Sequence, residues 1–291
     1  MKRIGVATDS HSGITPKEAE ALGIMLLPMP FYIEDECYYE EVSITREAFF
    51  EQLNSGKKIS TSQPSPEAVM NLWRNGLKEY ETIIYIPMSS GLSGSCNTAK
   101  VLAEESEFAG RVLVVDNGRI STPLHRSILD ALEMIEEGLC AESIKAILEE
   151  SKGLMSIYLG VETLDFLKKG GRITPATAAI GSMLNIKPVL KLDVGVLETY
   201  KKCRGMKKAR RDMLEAMQHD FETVFREYYE RGDIYLLAAS SADEETTQGW
   251  IEEIRAFFPG MEIQCDKLSL GISCHTGEGA LGVGCSCRPK R

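Results

Sequence analysis

Four short apolar runs, residues 3–7, 23–28, 82–87 and 111–115, are each bounded by turn-forming residues, and the stretches between them carry helical periodicity. Strands that are apolar at successive positions have no face suited to water, so they belong in a parallel sheet covered on both sides. The covering helices are legible too. Residues 67–78 place Val69, Met70, Leu72, Trp73 and Leu77 at helical spacing, and residues 127–138 do the same with Ile128, Leu129, Leu132 and Ile135. Such alternation predicts an α/β layer with helices over a mostly parallel sheet.

From Met155 the pattern changes. Strand-like pieces at 156–161, 187–192 and 196–200 precede an amphipathic helix over 206–229. A strand at 234–239, a helix at 241–257 and strands at 261–267 and 280–285 complete a half that is α+β in character. A chain of 291 residues is long for one core, and the expected division is into 1–151 and 152–291.

Lys and Arg number 33 against 43 Asp and Glu, and the net charge of −10 argues against a dominant nucleic-acid surface, which needs clustered positive charge. One segment runs the other way: residues 201–211 hold seven of those basic side chains, so a local basic face is expected. At the start, Thr8, Asp9 and Ser10 break the first apolar run before a signal-peptide core forms. The apolar stretches at 24–31 and 83–88 fall short of the roughly 20 residues of a membrane span, so a cytoplasmic protein is expected. Eight cysteines then read as reduced thiols. Cys265, Cys274, Cys285 and Cys287 lie near His275, but the terminal C-x-C lacks the C-x2-C pairing of structural zinc sites, and neither metal nor cofactor is expected.

Loops at the carboxyl ends of parallel strands flank the crevice where such sheets bind ligands. Three polar loops occupy those positions here: Thr8-Asp9-Ser10, Ser89 through Ser95, and Asp116-Asn117. The Ser89 to Ser95 loop, with Gly91 and Gly94, opens a helix expected near Asn97 and suits an anion, although a turn that merely caps a helix is the plainer reading. Ser93 fails the G-x-S-x-G hydrolase elbow because Ser95 stands where the second glycine belongs. A triad would further need His11, His125, His219 or His275 beside it, which leaves an enzyme of small anionic or phosphorylated substrates as the alternative reading. The segment 58–66, rich in hydroxyls and proline, reads as a stiff capping loop whose side chains can also face a site. In 271–280 glycines frame His275, a setting for close backbone approach to a ligand as much as for a structural histidine.

Seven stretches together carry a family resemblance: Thr8-Asp9-Ser10, Thr61-Ser62-Gln63-Pro64-Ser65, Ser90 through Ser95, Leu167 through Ile173, Ile186-Lys187-Pro188-Val189, Arg204 through Ala209, and His275-Thr276-Gly277. In this order the chain resembles the DegV family over nearly its whole length. The resemblance implies an amino-terminal three-layer α/β/α domain with a mostly parallel sheet and a carboxyl-terminal two-layer α+β domain with a mixed sheet. It implies a lipid carrier rather than an enzyme, with no catalytic residue, that binds a long-chain fatty acid such as palmitate or oleate. The tail would lie in the amino-terminal domain and the carboxylate near the domain junction. Thr61 and Ser93 match the head-group hydroxyls, His275 would lie beside the carboxylate, and Asp9, Ser62 and Gly94 belong to the pocket loops. Several members present the carboxylate to a separate fatty acid kinase that makes an acyl phosphate, and Arg172 and Arg204 match the exposed arginines expected to meet it. Two departures stand out. Glu278 replaces the family's usual proline, setting a carboxylate where it would repel the ligand's own unless it faces water or a base, and Pro123, Leu124, His125 and Arg126 replace small residues after the fourth strand.

Overall fold

The structure is a computed structural model of the chain that describes residues 2–178, 186–193 and 195–291. Its strands in chain order are β1 (Lys2–Asp9), β2 (Met25–Leu27), β3 (Pro30–Ile33), β4 (Glu36–Tyr39), β5 (Ile59–Thr61), β6 (Tyr80–Ile86) and β7 (Val112–Val114). Then follow β8 (Met155–Gly160), β9 (Ile186–Asp193), β10 (Val196–Arg204), β11 (Ile234–Ser240), β12 (Ile263–Lys267) and β13 (Leu281–Cys287). Contacts divide the chain into two units, residues 1–30, 62–153 and 289–291 in one and residues 31–61 and 154–288 in the other.

In the first unit the four apolar runs form one parallel sheet of order β2-β1-β6-β7. Side chains of successive strand residues point to opposite faces, and β6 shows what that does. Ile84 and Ile86 join a core with Leu124, Ile128, Met134, Ile144 and Leu148, whereas Ile83 and Tyr85 join Val69, Trp73, Leu102 and Phe108 on the other side. Helices Ser121–Glu136 and Ala141–Glu150 therefore cover one face, and Pro66–Gly76 and Ser95–Ala103 the other. This is the three-layer arrangement that continuous apolar strands require. The helix expected near Asn97 starts at Ser95. Residues 123–126 lie in the first turns of Ser121–Glu136: Leu124 enters the core, His125 Nε2 stands 3.7 Å from Glu18, and Arg126 pairs with Asp130 at 3.0 Å and with Glu133.

The second unit contains a six-stranded mixed sheet of order β10-β9-β8-β13-β11-β12, antiparallel except for the parallel β11–β12 pair. Helices Met206–Glu222 and Glu244–Phe257 pack on it through Met213, Met217, Phe221, Trp250 and Ile254. The helix expected over 206–229 is two pieces: Thr223 leaves helical geometry at φ −122° and ψ −74°, Phe225 turns into the core, and a second helix runs Arg226–Arg231.

Residues 31–61 depart from the two-part division expected at 151/152. They form a three-stranded sheet, β4-β3-β5, with helix Arg46–Asn54. Contacts assign them to the later half because Phe31, Ile33, Phe49, Phe50 and Leu53 form one apolar cluster with Leu270 and Cys274. Fully burying a side chain of this size is worth roughly 1.5–3 kcal/mol, so five of them decide where the segment goes.

Candidate functional site

In the first unit the three strand-end loops are tied together by hydrogen bonds. Asp9, at the end of β1, accepts the backbone N–H of His11 at 2.9 Å and that of Met88, just beyond β6, at 2.8 Å. Burial pushes its pKa up to about 6, and the two N–H donors limit the rise. Ser90 Oγ donates to Asp116 at 2.8 Å, where Lys100 Nζ also arrives at 3.1 Å, so the loop after β6 is anchored to the loop after β7. The convergence expected of these loops is therefore present.

Within the Ser89 to Ser95 turn, Ser93 is half-buried and its Oγ accepts the N–H of Ser95 at 3.2 Å. Gly94 is exposed with φ −69°, so its backbone would accept another residue; the nearest neighbour to an added Cβ is Gln63 Oε1 at 3.4 Å. Ser62 is exposed and donates to the Gln63 carbonyl at 3.0 Å. Ser65 caps helix Pro66–Gly76 by accepting the Ala68 N–H at 3.2 Å, which bears out the capping reading of that loop.

The second unit brings Thr61 and His275 together. Thr61 ends β5, in register with Phe31, and His275 sits near the end of the short helix Leu270–Thr276. That helix is held at its start by Ser269, which caps Ile272, and by Glu40, which accepts the Leu270 N–H at 2.8 Å. Its apolar side seats Leu270 and Cys274 against Phe31 and Phe49. With both elements fixed by the same cluster, Thr61 Oγ1 and His275 Nε2 lie 2.9 Å apart in a hydrogen bond. Burial pulls the imidazole pKa down to about 4, with the nearby Arg172 charge acting in the same sense, so the ring is neutral at physiological pH.

Gly170 explains how the ring is held. A Cβ at this position would lie 2.0 Å from His275 Nδ1, so only glycine lets the 167–172 turn close on the imidazole. Glu278 is exposed and accepts a 2.7 Å hydrogen bond from Asn54 Nδ2, which answers the repulsion expected from a carboxylate in place of proline: it faces water and an amide donor.

Arg172 is half-buried with its guanidinium donating to the Gly170 carbonyl, which corrects the expectation of an exposed arginine; the turn it closes needs that donor. Arg204 is exposed as expected. In the basic segment Lys201 and Lys208 both reach Asp212, at 2.9 and 3.1 Å. Burial works against ionisation of Asp212, but hydrogen bonds from Lys201, Cys203 and Lys208 outweigh it and hold the carboxyl at about 2. Among the described residues no disulfide joins any of the eight cysteines, and no group of three or more His, Cys, Asp or Glu side chains is placed to hold a metal ion. Among the described residues no helix is long and apolar enough to cross a membrane.

Two residues that shape the Thr61–His275 pair escaped the sequence reading. Gly170 left a signal, the Gly170-Gly171 pair inside a motif already noted. Glu40 left none, because its partner lies 230 positions away.

One unit with a doubly covered parallel sheet, and a second with a mixed sheet and a small three-stranded sheet whose β5 brings Thr61 to His275, define a two-unit α/β architecture with a part-buried hydroxyl–imidazole pair. A family model described as "Uncharacterised protein, DegV family" matches residues 3–287, and the chain belongs to the DegV family. It is 32% identical over 288 residues to Protein DegV of Bacillus subtilis, covering 98% of this chain and 99% of that protein. Among solved structures it is similar to a DegV family protein of Thermus thermophilus described as fatty acid binding, with 33% identity, a TM-score of 0.85 and coverage of 98% and 99% of the two chains. It is similar also to DegV of Bacillus subtilis, described as a fatty acid binding protein, with 30% identity, a TM-score of 0.83 and coverage of 99% and 100%.

Proposed function

We propose that this chain binds a long-chain fatty acid such as palmitate or oleate, burying the acyl tail and holding the carboxylate through hydroxyls. The observation that carries the reading is its likeness, at 33% identity over 98% of the chain, to the Thermus thermophilus protein described as fatty acid binding. The Thr61–His275 pair supports it, because a hydroxyl beside a neutral imidazole can bond a carboxylate without burying a second charge. Ser93 is assigned as a further head-group hydroxyl and Asp9, Ser62 and Gly94 as residues of the pocket loops, on the family resemblance. No catalytic residue and no cofactor is assigned.

Energetics favour a carrier. About 14 buried methylenes at roughly 0.8 kcal/mol each contribute on the order of 10 kcal/mol. Lost ligand freedom and ordering of the tail oppose this by several kcal/mol, which leaves tight binding with the polar contacts fixing orientation.

The finer part of the proposal is presentation of the bound acid to a fatty acid kinase for acyl-phosphate formation, with Arg204 and Arg172 as kinase contacts. Exposure favours Arg204 in this role, whereas Arg172 is partly buried with its guanidinium bonded to the Gly170 carbonyl. Eight cysteines outside any disulfide suit a reducing cytoplasm.

Native mass spectrometry of gently purified protein, before and after incubation with palmitate and oleate, tests the reading. An adduct of acyl-chain mass is expected. Its absence from both samples would remove the proposal.

A further inference from the structure

The Thr61–His275 hydrogen bond has two possible polarities, and they present opposite faces to a ligand. In one, Nε2 carries the ring proton and donates it to Thr61 Oγ1. In the other, Thr61 donates to a bare Nε2 and the ring proton sits on Nδ1.

Gly170 distinguishes them. An ideal Cβ on Gly170 would lie 2.0 Å from Nδ1 and 2.6 Å from Cε1, so the α-hydrogen that occupies that bond direction points at Nδ1. A bare lone pair tolerates a C–H aimed at it, as a weak hydrogen bond. An N–H there would meet the C–H head on. Nδ1 is also fully buried without a hydrogen-bond partner, and a buried donor left unmade is rarer in native proteins than an under-used acceptor. The Arg172 charge close by favours a lone pair over a proton on the ring. Burial keeps the imidazole neutral, so only one of the two nitrogens carries hydrogen.

We infer that His275 is held by Gly170 as the Nε2–H tautomer, which donates to Thr61 Oγ1 and leaves the Thr61 hydroxyl hydrogen free to be given to a ligand. The pair then presents a donor toward the ligand and favours a head group that brings lone pairs: a carboxylate, or another anionic oxygen. A long-chain ammonium has none and can only donate to the remaining lone pair of Thr61 Oγ1, so it is the weaker ligand. Gly170 is thus a positioning residue that sets head-group class through the ring it touches. The inference about ligand class rests on the fatty-acid reading above; the tautomer does not.

Long-range proton–nitrogen correlation spectra of the nitrogen-15-labelled protein read the tautomer directly, with the His275 signals assigned by their loss in His275→Gln. A protonated Nε2 and an unprotonated Nδ1 are expected from about pH 5.5 to 8, with or without palmitate. A protonated Nδ1, or a doubly protonated ring at neutral pH, overturns the inference. In binding measurements Thr61→Val should weaken palmitate about tenfold or more, Thr61→Ser should restore most of that loss, and hexadecylammonium should bind the wild-type protein at least about tenfold more weakly than palmitate. Hexadecylammonium binding as tightly as palmitate overturns the donor assignment. If palmitate itself fails to bind while the spectra show Nε2–H, the fatty-acid reading falls and the tautomer stands. Gly170→Ala should push the ring off Thr61 and change both His275 nitrogen signals; unchanged signals would remove Gly170 from the account.

Discussion

Asp9 makes a stability prediction that can be worked through from the structure. Its side chain is fully buried at the end of β1 and accepts two backbone N–H groups, from His11 and Met88. Its pKa stands at about 6 in the fold against an ordinary 3.8. Between those values the folded state holds a proton that the unfolded chain has released, so stability falls as pH rises from about 4 to about 6 and is flat above. A difference of about 2.2 units at 1.36 kcal/mol each is about 3 kcal/mol. Asp9→Asn cannot ionise and should lack this slope. It also sets an NH2 donor against one of the two N–H groups, where the protonated acid still offers a hydroxyl oxygen and the carboxylate a full acceptor, a loss of about 1–3 kcal/mol. At pH 4 the variant should therefore be less stable than wild type. By pH 7 the gap should close or reverse. Urea unfolding at pH 4, 5, 6 and 7 measures the difference between the two proteins and cancels every other titrating group to first order. A wild-type-minus-variant difference that stays constant within about 0.5 kcal/mol would refute the raised pKa and with it the account of how the strand-end loops are stapled.

Trp73→Ala, which empties a fully buried site against Tyr85 and Phe108, should cost about 3–5 kcal/mol in urea unfolding of the first unit. Phe49→Ala should cost a similar amount in the second unit and weaken palmitate binding as well, because Phe49 sits in the cluster that seats the His275 helix; intact binding in a destabilised variant would separate that cluster from the site. Glu278→Gln removes an exposed charge that faces Asn54, and palmitate affinity by isothermal titration should change less than about twofold. Arg204→Glu should leave lipid adducts intact in native mass spectrometry while slowing acyl-phosphate formation with a partner kinase; an unchanged rate would end the assignment of Arg204 as a kinase contact.

Much of the first unit was legible because its evidence is local. Each strand of the parallel sheet is a short apolar run, and the amphipathic stripe over 67–78 is complete within its own window. Ser65 followed by Pro66 announces a helix start by cap chemistry alone, and Pro66–Gly76 begins there. The break after Glu222 was not legible, since Val224, Phe225 and Tyr228 continue a plausible helical stripe and only the core's demand for Phe225 turns the chain. The 31–61 segment was missed for a related reason. Its strands are three or four residues long and interrupted by the acidic run Glu34-Asp35-Glu36, too short for a period of two to register.

By itself the sequence determined the parallel sheet, its covering helices and the polar loops at its strand ends, because period, turn residues and caps are properties of neighbouring positions. Tertiary structure alone decided that Thr61 meets His275 across 214 positions, that Glu40 meets the Leu270 N–H across 230, and that Gly170 presses on the imidazole. Those contacts depend on where a cluster of phenylalanines, leucine and cysteine closes, and the free energy that closes it belongs to no single stretch of chain.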